Sequence, residues 1–123
     1  MEMSILKSTK KILGLESDYT AFDLDVITHI NTAFATLHEL GIGPITGFAI
    51  EDDTAVWSDF LDEDIPTASS IKTYVYLRVR LLFDPPTTSY AIGALHTAVQ
   101  EFEWRLNTGR EATAGIDPNP IPE

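Results

Sequence analysis

The stretch from Tyr74 to Tyr90, YVYLRVRLLFDPPTTSY, limits the fold more than any other part of this chain. Large apolar residues run almost without interruption to Phe83, carry Arg78 and Arg80 among them, and stop at Asp84-Pro85-Pro86. From Thr67 to Phe83 no turn residue occurs, which is too long for a strand. The spacing of Ile71, Val75 and Leu82 predicts a helix instead. Because Tyr74, Tyr76, Leu77, Val79, Leu81 and Phe83 make that helix apolar nearly all round, it must be central in the fold or covered by partners. Pro85 disfavours helical geometry at Asp84, and the two prolines together fix an extended corner.

Other periodic segments surround this one. Phe22, Val26, Ile30, Phe34 and Leu37 recur at steps of four, four, four and three, one helical stripe, with Asp18 or Thr20 as its expected cap and Gly41 at its expected end. Ser4 to Leu13 predicts a short amphipathic helix stopped at Gly14, with Lys7, Lys10 and Lys11 on its polar side. GIGPITGFAIEDD predicts a loop with one short extended piece. DDTAVWSDFL predicts one or two helical turns capped by Asp53 or Thr54, with Val56, Trp57 and Phe60 on one side. After the double proline, Ser89 is the expected cap of a last helix ending near Asn107, about 28 Å long. Its Ile92, Leu95, Val99, Phe102 and Leu106 form a heptad-like seam. The tail from Thr108 to Glu123 has two glycines and three prolines and no stripe, so it is expected to be disordered without a partner. The expected class is all-α: a small bundle of about four to five helices with a long C-terminal helix and one extended loop, residues 1–107, followed by the tail, residues 108–123.

The totals agree with one domain. At 123 residues and 44% hydrophobic content the chain can bury roughly 60–70% of its unfolded surface. It has no cysteine, which removes disulfides, thiolate metal sites and cysteine nucleophiles. Nineteen acids against eight bases give a net charge of −11, the opposite of a nucleic-acid footprint. No apolar run approaches the ~18 residues that span a bilayer, and lysines interrupt the N-terminal apolar residues, so neither a membrane span nor a signal peptide is expected.

Chemistry-bearing patterns are weak. His29 and His38 are nine positions apart on one predicted helix and face opposite sides, so they cannot share a metal. The acidic clusters at Glu51–Asp53 and in DEDIP lack the oxygen spacing and glycine of a calcium loop. GIGPITG lacks the lysine and hydroxyl ending of a phosphate loop. No GxSxG or HExxH occurs. No catalytic residue, metal site or cofactor is expected. Glu101 and Arg105 stand at i, i+4 in the favourable order for a surface ion pair. Arg78 and Arg80 point about 200° apart, so they serve two faces. Each either reaches solvent or an acid of its own chain, or pairs with a neighbouring subunit.

From Ile71 onward the chain resembles the head–tail connector proteins, or adaptors, of long-tailed bacteriophages. The resemblance rests on a Y-x-x-L-x-x-R-L-x-F-D-P-P helix end at Tyr74, Leu77, Arg80, Leu81, Phe83, Asp84, Pro85 and Pro86, and on Glu101, Trp104, Arg105, Leu106 and Asn107 further on. In the first half it rests on Asp25, Ile27, His29, Ile30 and Asn31, on L-x-x-L-G-I-G-P from Leu37 to Pro44, on G-F-x-I from Gly47 to Ile50, and on an aspartate–tryptophan element at Thr54–Phe60. It covers residues 4–107. The resemblance implies a helical structural protein of the virion neck, made in the host cytoplasm, without catalysis or cofactor. It implies a ring of about twelve copies under the portal protein, a docking face for a stopper or tail-completion protein, and a channel that genomic DNA traverses without sequence-specific binding. Arg78, Arg80, Asp84, Pro85, Pro86, Trp104 and Arg105 are the expected interface residues, with Ile116 and Ile121 as apolar anchors in the tail. The alternative for so acidic a helical chain is an inhibitor that mimics DNA or neutralises a basic partner, as an antitoxin does.

Overall fold

The computed structural model describes residues 4–62 and 64–113, of which 108–113 are described by their backbone alone. Among the described residues there are five helices and no strand: α1 (Ile5–Ile12), α2 (Asp23–Glu39), α3 (Trp57–Phe60), α4 (Ala68–Phe83) and α5 (Ser89–Thr113). The all-α bundle with a long last helix and an irregular loop before α3 is therefore the fold. The largest contact is between α2 and α4, with α5 laid on α4 and α1 across α2 and α4. The α2–α4 pair is antiparallel: Phe22 at the start of α2 meets Phe83 at the end of α4, ring centroids 5.5 Å apart.

The glycine stops act as the sequence predicts. Gly14 and Gly41 both take positive φ, +83° and +82°. Each helix closes with the same paired bonds. The Gly14 and Leu15 amides donate to the Lys11 and Lys10 carbonyls at 3.1 and 2.8 Å, and those of Gly41 and Ile42 donate to His38 and Leu37, both at 2.9 Å. Two carbonyls that a helix end would leave unpaired are thereby satisfied in each case.

The helix starts differ from expectation. Ser4 caps α1 by accepting the Lys7 amide. The cap position of α2 is Phe22, not Asp18 or Thr20, with no side-chain bond. That of α3 is Val56, not Asp53 or Thr54: the Asp59 carboxylate reaches back to the Val56 amide at 2.9 Å. Thr88 rather than Ser89 caps α5, accepting the Ala91 amide at 3.1 Å. In each case a polar residue lay within a few positions and the chain path decided which one served. At its other end α5 passes Asn107 and continues to Thr113. Gly109 does not break it, because an internal glycine costs a helix only about 1 kcal/mol and Arg110, Glu111 and Ala112 are good helix formers.

The core is aromatic at its centre. Phe34 of α2 lies 4.4 Å from Phe60, 5.3 Å from Phe48 and 6.2 Å from Trp57. Trp57 stands edge-on to Tyr76 of α4. Its indole N–H donates to Ser8 Oγ at 3.1 Å, and the Tyr76 hydroxyl meets the same oxygen at 3.3 Å. The loop between α2 and α3 contains no strand. Ile50 is held instead by the Asn31 side chain, whose Oδ1 accepts from the Ile50 amide at 2.8 Å and whose Nδ2 donates to its carbonyl at 3.0 Å. One side-chain amide thus stands in for a strand partner.

Lys10 overturns the reading of α1 as having three solvent-facing lysines. Lys7 and Lys11 are exposed, but Lys10 is only 1% exposed. Its Nζ donates to the carbonyls of Ser17 and Tyr19 at 3.1 and 2.6 Å and sits 2.8 Å from Asp23 Oδ1. Two carbonyls accept ammonium protons and the Asp23 carboxylate supplies the opposing charge, so the ion is tolerable in the interior. It pins the α1–α2 connection to the start of α2.

Candidate protein-interaction surface

The two arginines of α4 have separate fates. Arg78 turns toward α5, where its Nη1 lies 2.9 Å from Glu103 Oε2. The buried Tyr74 hydroxyl donates to the same carboxylate oxygen at 2.7 Å and accepts from Arg78 at 3.3 Å. Burial and the Glu103 hydrogen bond push the Tyr74 phenol well above its ordinary range, against the opposing pull of the Arg78 charge. This trio locks α4 to α5 within one chain. The Arg80 side chain is exposed and forms no ion pair or hydrogen bond among the described residues, even though Asp84 is one turn away. A guanidinium on an otherwise acidic surface without an acid of its own is a ready contact for another molecule.

The corner after α4 is an exposed edge. Asp84 leaves helical geometry at φ −143° and ψ 67°, as a residue before proline does, while its amide still closes on the Arg80 carbonyl at 2.9 Å. Asp84 and Pro85 are exposed and Pro86 is half-buried. Beyond it Tyr90 is 88% exposed.

On α5 the seam faces α4: Val99 and Leu106 are buried and Ile92, Leu95 and Phe102 half-buried. The outer face carries Trp104, 69% exposed, over a shallow cleft of about 370 Å³ lined with Thr97, Gln100, Glu101 and Arg105. Arg105 pairs with Glu101 at 3.7 Å, both exposed, and lies 5.9 Å from the Phe102 ring. Of the expected interface residues, Arg80, Asp84, Pro85, Trp104 and Arg105 are therefore accessible, and Arg78 is engaged inside the chain. Ile116 and Ile121 lie outside the described residues.

Two further features escaped the sequence patterns. At the N-terminal end of α2, Tyr19, Phe22, Phe83 and His29 form a chain of edge-on rings with centroids 5.8, 5.5 and 6.4 Å apart, and Tyr19, Phe22 and the adjoining Leu82 are exposed. This makes an apolar ledge. At the C-terminal end of α2 the turn Pro44–Gly47, closed by the Gly47 amide on the Pro44 carbonyl at 2.9 Å, presents Ile45 at 94% exposure. Gly43, φ +92°, anchors that turn so tightly on Phe60 that a Cβ there would come within 2.6 Å of the ring. Ile45 stands alone between glycines in the sequence, and Phe22, the first residue of the α2 stripe, lies on the outside rather than in the core with the rest of that stripe.

His29 is half-buried against Phe83 and His38 is exposed near the end of α2, as their spacing requires. Among the described residues no group of three or more acids or histidines could hold a metal ion, and no helix is long and apolar enough to cross a membrane. A family model described as phage connector protein matches residues 5–113. No curated protein and no solved structure matches the chain.

Proposed function

The chain belongs to the phage connector protein family, structural proteins of the virion that join head to tail, and on that premise we propose that it forms a ring on the portal vertex and extends the DNA channel toward the tail. The family match across α1 to α5 carries this reading, since it spans every helix of the bundle. The surface supports it. A subunit with its own aromatic core, yet with an exposed arginine that has no acid partner among the described residues, an exposed tryptophan and an apolar ledge on its outside, has contact surface left over after folding. The portal side and the side that receives a stopper or tail-completion protein would both draw on the α4–α5 hairpin and its proline corner. The segment after α5, with Ile116 and Ile121 between prolines, would add an extended strap to a neighbour. A net charge of −11 suits a channel wall, because like-charge repulsion keeps DNA from adhering as it passes.

Electron microscopy of the protein mixed with portal-bearing heads tests this reading. Rings stacked on the portal are expected, and heads that stay bare at saturating protein would overturn it. Arg80→Ala sharpens the test. Because the Arg80 side chain makes no bond among the described residues, Arg80→Ala should change stability by less than about 0.5 kcal/mol while ring occupancy on heads falls. Unchanged occupancy removes Arg80 from the interface.

A further inference from the structure

We infer that, on assembly, each copy of this chain passes its α5 to the α4 of the next copy, so that the lock of Arg78, Tyr74 and Glu103 forms between chains all round the ring. This deepens the ring reading and rests on it. A closed ring of identical subunits needs two different patches on each chain, a donor and an acceptor that fit each other. The seam of α5 and the face of α4 beneath it are such a pair, and their fit is visible in the single chain. Arg78 lies 2.9 Å from Glu103, the Tyr74 hydroxyl lies 2.7 Å from the same carboxylate, and Val99 and Leu106 are buried. Exchange keeps each of these contacts and needs no new complementary surface.

Three properties make α5 the exchangeable element. The first is that the rest of the bundle is complete without it. Among the buried apolar residues only Val99 and Leu106 belong to α5, whereas the cluster of Phe34, Phe48, Trp57 and Phe60 and the α2–α4 contact lie wholly outside it. Because α5 rests chiefly on α4, it can leave as one unit. The second is the connection, residues 84–88. The Asp84 amide bonds back to Arg80, and Thr88 accepts from the Ala91 and Ile92 amides. Between them Pro85, Pro86 and Thr87 make no hydrogen bond among the described residues, so the corner can re-aim α5 without breaking one. The third is reach. The two prolines keep the connection extended, and five extended residues span about 15 Å. Packed helices are about 8–10 Å apart, so α5 can clear its own α4 and reach one packed beside it.

The closed and exchanged forms share their contacts, so the local concentration of acceptor decides between them. In the free chain the nearest α4 is its own, and α5 lies on it. Copies held side by side on a portal offer a second α4 at comparable local concentration. Exchange then adds cover. Ile92, Leu95 and Phe102, half-buried on a single α4, come to lie between the donor and acceptor bodies. An open row of exchanged copies leaves one α4 bare at one end and one α5 unseated at the other, and a closed ring leaves neither. Exchange therefore favours a complete ring over a partial one.

Reversed charges test the exchange in trans. In a closed chain Arg78→Glu sets two carboxylates against each other, and Glu103→Arg sets two guanidiniums. In an exchanged ring that alternates the two variants, every boundary is again an arginine–glutamate pair. Each variant alone should occupy portal-bearing heads roughly tenfold less than the unaltered protein, since like charges face each other at every boundary. An equal mixture of the two should restore occupancy, as should Arg78→Glu with Glu103→Arg on one chain. A mixture no better than the single variants, beside a working double variant, overturns the exchange, and so does normal assembly of either single variant. A staple supplies a second arm. The chain has no cysteine, so Arg78→Cys with Glu103→Cys can be tied within one chain at high dilution by a short bifunctional thiol reagent, which holds α5 on its own α4. Tied chains should leave heads bare where untied chains of the same variant form rings, and equal occupancy by tied and untied chains overturns the exchange. The ring reading fails separately. Heads left bare by the unaltered protein remove the ring and the exchange built on it, whereas rings of unaltered protein without rescue in the mixture keep the ring and remove the exchange.

Discussion

Two helices of this molecule carry apolar stripes of nearly the same spacing and end up in different surroundings. In α2, Val26, Ile30, Phe34 and Leu37 are each at most 1% exposed. In α5, Val99 and Leu106 are buried, but Ile92, Leu95 and Phe102 stay half-buried. The reason is coverage. α2 is enclosed by α1, α4 and the Trp57, Phe48 and Phe60 rings, whereas α5 rests chiefly on α4. A stripe says that one helix face is apolar. It does not say how many elements will cover that face.

The comparison can be broken most forcefully in the core. Phe34→Ala should cost about 3–5 kcal/mol, because its three aromatic neighbours, Phe48, Trp57 and Phe60, cannot collapse into the space, while Leu95→Ala should cost about 1–2 kcal/mol. Urea denaturation measures both. Equal losses would mean that α5 is as firmly enclosed as α2.

Next in size is the joint that fixes the start of α2. Lys10→Ala leaves the Asp23 carboxylate without its counter-ion and the carbonyls of Ser17 and Tyr19 without their donor, and should cost about 2–3 kcal/mol. Lys10→Met keeps the methylenes and separates packing from charge. A fully stable Lys10→Met protein would show that packing, not the ion, holds the connection.

The lock on α5 is weaker. Glu103→Gln removes the charge that Arg78 and Tyr74 share and should cost about 1 kcal/mol. Hydrogen exchange should quicken along α5 and stay unchanged in α2. Faster exchange in both would mean that the two helices open together.

The smallest effect is silent at neutral pH. The Tyr74 phenol titrates higher in the folded chain than its ordinary value of 10.0. A group raised in this way stabilises the fold fully below pH 10, and that stability is lost as pH rises beyond it, because the unfolded chain releases the proton first. Stability should fall above pH 10, and Tyr74→Phe should flatten that fall. An identical alkaline profile for both proteins would assign the loss to other groups.

The expected interface residues divide along the same line as the two helices. Glu101 and Arg105 were readable as a pair because they are neighbours on one helix face, and they do pair. Arg78 and Arg80 could be assigned to two faces from their spacing, but not to their partners. Only the packing of α5 on α4 brings Glu103 to Arg78 and leaves Arg80 outside.

What the sequence alone determined was local and periodic. The stripes of α2 and α4, the glycine stops after α1 and α2, the proline corner and the seam of α5 each depend on residues a few positions apart, where helix geometry and backbone sterics act. The family motif was readable too, since it is a pattern of types in order. The tertiary structure decided which residues act across long separations: Asn31 as the partner of Ile50, Ser8 as the acceptor for Trp57 and Tyr76, Lys10 as a buried ion, Phe22 rather than a nearby polar residue at the start of α2. A lysine or an asparagine has the same local preferences inside or outside. Its environment is set by which elements pack around it, and that depends on the whole chain closing on one core.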